Sequence, residues 1–489
     1  MKRAVLPILA LLVFAPTIVA QSGGVTVTQL PVPGTTASVN TLNPDVRVDG
    51  PFAGSASSVD AMPFDGRLTL DDAIRRALAY NLGAIERSEA SHQARSQVVA
   101  VRSALLPSVV GSATGARQEL NLEASGIQFP ALAGVNVPTV VGPFNAIDFR
   151  AHVSQTVLDL TAWNAYRAAK TEARAAALAS DDARDLVVLA VGAGYLQVLT
   201  SRARVESARA QVETANALLR QTSQQRAVGV AAQLDVNRSQ VELLTQQQRL
   251  LSLQNDLSKQ KISLARLTGL SPNDQFEIAD TVVYEPAPAI DVTAAIEQAL
   301  SRRSDVQAAQ AGLTAATQAL VAARSERLPV VTVDGDYGAI GTTVDDARRT
   351  FGIRGAVRVP LWNGGRTAGD IGRTDALIRQ RRAELENVRA EVAAEVRRAR
   401  LDVEAAAGQV ELSRTNLVTS RQTLDLTRQR FQSGVTDTVD LVRSQEAVAG
   451  AELDYINSVF AHNIAKLAFA RAVGSAATSW PHFLKVESK

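Results

Sequence analysis

From about Ala162 to Ala227 the chain is rich in Ala, Arg, Gln and Leu and free of proline, and Arg366 to Ser433 repeats that character. Helix-forming residues sustained over such a length predict one long α-helix in each place. Roughly 66 residues at ~1.5 Å each make a rod of ~100 Å, well beyond an ordinary globular helix. Gly192 and Gly194 interrupt the first rod; each weakens a helix by ~1 kcal/mol, so local bending is expected there. Each rod ends in a related turn: Arg226-Ala-Val-Gly229-Val230 leading to Asp235 and Arg238, and Arg430-Phe431-Gln-Ser-Gly434-Val435 leading to Asp440 and Arg443. Gly ends a helix in the left-handed conformation, and polar groups soon after it cap the next one. The expectation is two antiparallel helical hairpins with tips at 226–238 and 430–443. After each tip, Leu243, Leu250, Leu257 and Leu264, or Val448, Tyr455, His462 and Phe469, fall seven apart, which signals coiled-coil packing.

A shorter helix is expected from Thr69 to Leu105, with Leu70, Ala73, Ile74, Ala77 and Leu78 on one stripe. Thr69 and Asp72 make a capping-box-like start, and Pro107 ends the helix. Its second copy runs from Asp291 to the residue before Pro329. Stacked on the return helix of each hairpin, these pieces match the long rod in length, so one continuous rod is expected beside one composite rod.

Period-two patterning follows each proline. Phe149, Ala151, Val153 and Val157 alternate with Arg150, His152, Ser154 and Thr156; Phe351, Ile353, Val357 and Val359 alternate with Gly352, Arg354, Ala356 and Arg358. Strands are expected at about 108–117, 149–158, 330–337 and 351–361, with loops between the members of each pair. Such alternation suits a transmembrane strand with its apolar side toward lipid and its polar side toward a lumen, and equally a half-buried soluble sheet. Strand number decides between them. Four strands cannot close a barrel and would leave bare edges, whereas three copies supply twelve. Arg150, His152, Arg354 and Arg358 then line the lumen.

The landmarks recur in order. Ala73, Ile74, Leu106 and Pro107 return 222 positions later as Ala295, Ile296, Leu328 and Pro329, while Gly229 and Gly269 return 205 positions later as Gly434 and Gly474. The chain is thus one body of two structural repeats, 67–280 and 281–476, with a tail at 477–489. Residues 1–20 read as a secretory signal peptide cut after Ala20, the other reading being an uncleaved anchor. Residues 21–66, rich in Pro, Gly, Ser, Thr and Val, read as an extended or disordered lead-in.

Charge and composition change little in this picture. A net charge of +2 over 489 residues gives no reason to expect nucleic acid. Cys is absent and the four His are scattered, so neither disulfides nor zinc-type ligand spacings arise. His462 lies in the heptad seam without a second ligand in register and reads as a packed or rim histidine. Gly364-Gly365 reads as a strand-to-helix turn without a phosphate fingerprint. No catalytic constellation, metal site or cofactor is expected.

The signal sequence, the duplicated halves, the Leu-Pro entry to each strand, Pro360-Leu-Trp-Asn-Gly-Gly-Arg366 and the Gly-Val turns together resemble the TolC family of outer-membrane efflux and secretion ducts, over roughly Leu68 to Gly474. The resemblance implies an α+β membrane protein. In a homotrimer it would form a twelve-stranded β-barrel and an α-barrel of coiled-coil hairpins reaching into the periplasm. It also implies a periplasmic adaptor and an inner-membrane pump as partners, outer-membrane lipid around the barrel, and a duct rather than an enzyme. Gly229, Val230, Gly434 and Val435 match the adaptor-facing tips, and Asp440 matches the carboxylate that rings the periplasmic aperture. Arg443 stands where TolC has a second Asp. Phe431 and Thr436 replace the Tyr and Arg that lock the closed entrance, opposite Asp235 and Leu234. That lock cannot be copied, and Asp235 or Asp440 with Arg226, Arg238 or Arg443 is expected to close the mouth instead. A periplasmic adaptor and a channel-less coiled-coil protein are the alternative readings.

Overall fold

In the computed structural model the described residues are 24–33, 40–56, 62–124, 126, 138–271, 273–282, 284–287, 291–476 and 486–488. The expected signal peptide lies outside them, as does most of the tail. Within the lead-in the described residues include two extended strands. Strands β1 (Val25–Pro33) and β2 (Asn40–Val48) pair antiparallel, and a 3₁₀ turn follows at Gly50–Ala53. Val25 and Phe52 are buried, and Gln29 Nε2 donates to the Ala461 carbonyl at 3.0 Å.

Strand β3 (Arg67–Leu68) leads into α1 (Leu70–Tyr80) and α2 (Leu82–Arg102). The Thr69 cap forms as expected: its hydroxyl accepts from Asp72 N at 3.1 Å. The expected single helix is, however, broken at Asn81. Its backbone leaves helical space (φ −65°, ψ 129°), while its side chain accepts from Gly83 N and donates to the Phe52 carbonyl. Those tertiary bonds decide the break.

Strands β4 (Ser108–Asn121) and β5 (Val140–Leu158) come next, both longer than the alternation alone predicts. Asp159 caps α3 (Leu160–Ala227), 68 residues of unbroken helix, by accepting from Thr161 N and Ala162 N. Gly192 and Gly194 lie within it. They permit contact: a Cβ at Gly192 would lie 2.6 Å from Leu467 Cδ2, and one at Gly194 would lie 3.2 Å from Leu267 Cδ1. One 18-residue window of α3 has a mean hydropathy of 1.4, but 67% of it is buried within the chain, so it is core.

The return helix α4 (Gln233–Thr268) is followed by the short strands β6 (Glu277–Ile278) and β7 (Asp280–Val282). The second repeat then runs through α5 (Val292–Arg302), α6 (Ser304–Ser325), β8 (Val330–Gly341), β9 (Arg348–Arg358), α7 (Arg366–Gln432) and α8 (Thr438–Ala472), and β10 (Val486–Ser488) pairs with β7. Arg303 breaks α5 from α6 with φ −62° and ψ 130°, nearly the backbone of Asn81 222 residues earlier. Here a buried guanidinium replaces the amide. It bonds Asp305, Glu395 on α7 (2.6 Å) and the Ala472 carbonyl on α8. Beside it, Arg471 on α8 reaches Asp182 on α3 at 2.6 Å.

The long rod α3 packs against α2, α4, α6 and α8, and the long rod α7 packs against α6 and α8. The core lies around the middle of α3 and the C-terminal part of α8. Leu68, Val187, Val191, Tyr195, Leu264, Ile464 and Leu467 pack there, and Val392, Val396, Val403 and Phe469 form its counterpart in the second repeat. Tyr195 Oη donates to Asp280 at 2.6 Å, and Asp280 also accepts from Leu70 N, which pins the start of α1.

Candidate functional site

The two hairpin tips are built alike. Gly229 (φ +82°) and Gly434 (φ +71°) take the left-handed conformation that a side chain would oppose. The Val230 amide donates to the Gln225 carbonyl at 2.8 Å, and the Val435 amide to the Arg430 carbonyl at 2.9 Å. This six-to-one closure satisfies helix-end carbonyls and projects both valines outward, 75% and 64% exposed.

The restart of the chain differs between the tips. Ala232 has no side-chain acceptor, so Asp235 provides the reciprocal contact, accepting from Ala232 N at 3.3 Å. At the second tip Asp437 caps α8 by accepting from Val439 N and Asp440 N. Asp440 is exposed and accepts from the Thr436 hydroxyl at 2.6 Å. Asp235 is half-buried and lies 3.6 Å from Arg238. Of the combinations expected to close the mouth, this is the pair that forms within one chain. Arg443 stands exposed one turn beyond Asp440, and among the described residues it has no ion-pair partner. Phe431 packs against Leu218, Leu424, Leu441 and Val448, a small core that ties the second hairpin to α3.

The other candidate surface is the four-stranded antiparallel sheet, ordered β4-β5-β8-β9. Its register sorts the side chains cleanly. Val109, Ala113, Phe149, Val153, Tyr337, Phe351, Ile353 and Val357 share one face, with Phe351 76% and Ile353 80% exposed. Asp148, Arg150, His152, Ser154, Asp334, Asp336, Arg354 and Arg358 share the other. Arg150 bonds Asp148 at 2.9 Å and Asp336 at 3.3 Å, His152 Nε2 lies 3.8 Å from Asp334, and Ser154 donates to Asp334 at 2.7 Å. Arg354 is opposite Asp334 in register, and Arg358 is opposite Val330. The sequence reading picked out the cations of this face and passed over Asp148, Asp334 and Asp336. The Val-x-Val-Asp-Gly-Asp alternation in β8 held the signal. A face this polar on one side and this apolar on the other is what a strand between lipid and a water-filled lumen presents.

A sequence profile of the family described as outer membrane efflux protein matches residues 74–270 and 295–475, both repeats in turn. The chain belongs to that family. It is an outer-membrane efflux channel, extending into the periplasm. Among curated relatives it is 23% identical over 330 residues to the outer membrane protein TolC of Vibrio cholerae, covering 66% of this chain and 75% of that one. It is 25% identical over 422 residues to the pyoverdine export outer membrane protein OpmQ of Pseudomonas aeruginosa, covering 84% and 85%. Two solved structures share the fold. The Campylobacter jejuni CmeC outer membrane channel aligns with a TM-score of 0.70 at 18% identity, covering 83% of this chain and 86% of that one. The open state of the Neisseria gonorrhoeae MtrE outer membrane channel aligns with a TM-score of 0.67 at 17% identity, covering 93% and 98%.

Proposed function

We propose that this efflux channel works as a homotrimer, a passive exit duct that receives solute from an inner-membrane pump through a periplasmic adaptor. One observation carries the reading: the sheet is amphipathic across its width, yet both of its outer strands, β4 and β9, lack a second neighbour among the described residues. In hydrocarbon every unpaired backbone group costs several kcal/mol, so only a closed barrel is viable. Three sheets edge to edge give twelve strands, and Arg150, His152, Arg354 and Arg358 then face the lumen.

At the other end Val230 and Val435 form an apolar docking surface for the adaptor, held outward by Gly229 and Gly434. Three copies of Asp440 ring the aperture and favour cations; Arg443, one turn deeper, opposes that preference. Asp235 with Arg238, and Thr436 with Asp440, hold the tips in shape, while Phe431 anchors the second hairpin. Conduction of this kind breaks no bond and calls for no cofactor.

The test is crosslinking. Cys introduced at Val230 or Val435 should trap the adaptor in intact cells, and the purified protein should be a trimer that fractionates with outer membranes. A buffer-extractable monomer would instead support the channel-less coiled coil. Failure of both Cys variants to trap any adaptor would remove tip docking from the proposal.

A further inference from the structure

Two cations break the apolar face of the sheet. Arg117 on β4 pairs with Asn145, on the side that carries Val109, Ala113 and Phe149. Arg349 on β9 pairs with Ala339, on the side of Tyr337, Phe351, Ile353 and Val357. Both are exposed, and among the described residues neither has an ion-pair partner.

Measured along their own strands, the two lie equally far from the helix-side ends. Arg117 lies nine residues from Ser108, the helix-side end of β4, and Arg349 lies nine residues from Arg358, the helix-side end of β9. At ~3.3 Å per residue each stands ~30 Å along its strand, at the outer limit of an apolar band about 25 Å tall. The helix-side end of the same face holds Val109, Val357 and Val331 instead. Cations therefore mark the outer rim. Glu119, further out on β4, lies at the register shift between Gln118 and Leu120.

β4 and β9 are also the two edges of the sheet. When copies close a barrel, β9 of one meets β4 of the next at a strand spacing of ~4.8 Å. Arg349 and Arg117 of the partner subunit then stand side by side on the lipid face. Like charges on neighbouring strands repel, the more so beside hydrocarbon. An anion between them turns that repulsion into attraction, and two guanidinium forks match the oxygens of a phosphate.

We propose that Arg349 and Arg117 of the partner subunit bind the phosphate of an outer-leaflet lipid headgroup at each junction between subunits. This rests on the reading of the sheet as a closed membrane barrel, and the experiment separates the two.

Purified channel is mixed with a glucosamine-based lipid in bisphosphorylated, monophosphorylated and dephosphorylated forms, and bound lipid is counted by native mass spectrometry. The wild type should retain the phosphorylated forms about tenfold over the dephosphorylated one, as charge-assisted bidentate bonds warrant. The Arg117→Gln/Arg349→Gln variant should lose that preference, and excess inorganic phosphate should not displace lipid from the wild type. Equal retention of all three lipids, an unchanged preference in the variant, or displacement by inorganic phosphate would overturn the site. Planar-bilayer conductance is the control. If wild type and variant both conduct while no lipid preference exists, only the phosphate site falls; if the wild type never conducts, the barrel falls with it.

Discussion

Thr222 and Ser239 face each other across the first hairpin, joined by a hydrogen bond of 3.1 Å from the Thr222 hydroxyl. The second hairpin repeats the clasp 205 residues later, where the Ser444 and Thr427 hydroxyl oxygens lie 3.2 Å apart. Ser239 and Ser444 also donate to the carbonyls of Asp235 and Asp440, four residues earlier in each case. Each clasp therefore joins the arms just behind a tip and steadies the backbone of the Asp four residues earlier.

Thr222→Val removes one buried bond of that clasp, for about 1 kcal/mol. Amide exchange at residues 226–238 should accelerate about fivefold while exchange at 430–443 stays unchanged. Equal acceleration at both tips would mean that the hairpins open together.

Asp440→Ala should reduce the cation preference of single channels, and Arg443→Ala should increase it. Reversal potentials in a salt gradient measure both. If neither variant moves the reversal potential, the aperture is not where these side chains stand.

Arg303→Ala should destabilise the chain by about 3–5 kcal/mol, because it leaves Asp305 and Glu395 partly buried without their shared cation. Burial works against the Asp305 carboxylate, yet the hydrogen bonds and charge of Arg303 outweigh it and hold that carboxyl below its usual range. Arg303→Lys should recover little of the loss, since one ammonium cannot span Asp305, Glu395 and the Ala472 carbonyl in the guanidinium geometry. Thermal unfolding in detergent is the measurement, and a melting temperature for Arg303→Lys equal to wild type would refute this account.

His462 lies fully buried against Tyr284, ring centroids 5.1 Å apart, with neither ring nitrogen hydrogen-bonded among the described residues. Burial, with a smaller contribution from the Lys466 charge, pushes its pKa down to about 4. The unfolded chain, with an ordinary histidine pKa near 6.5, therefore binds the proton more readily. Stability is full above about pH 6.5 and declines as pH falls toward 4, by on the order of 3 kcal/mol per chain at the low end. His462→Phe should flatten that part of the profile. Parallel pH dependence of melting in variant and wild type over this window would assign the decline to other groups.

The long rods, the tips and the strand faces were legible in the sequence because each rests on local rules. Helix propensity needs no partner, Gly229 and Gly434 supply the left-handed turn by themselves, and alternation in Phe149–Thr156 sorts a strand whatever pairs with it. The duplication carried the comparison from one repeat to the other. What folding in three dimensions decided is where separate rods touch. Asn81 and Arg303 break their helices because Phe52, Glu395 and Ala472, distant in sequence, hold their side chains. Gly192 lies close against Leu467, and Val25 and Phe52 of the lead-in are buried against the body of the chain. Asp334 and Asp336 became partners of His152 and Arg150 only when register aligned β5 with β8. Contacts of this kind depend on which surfaces meet, and spacing along one chain does not contain that information.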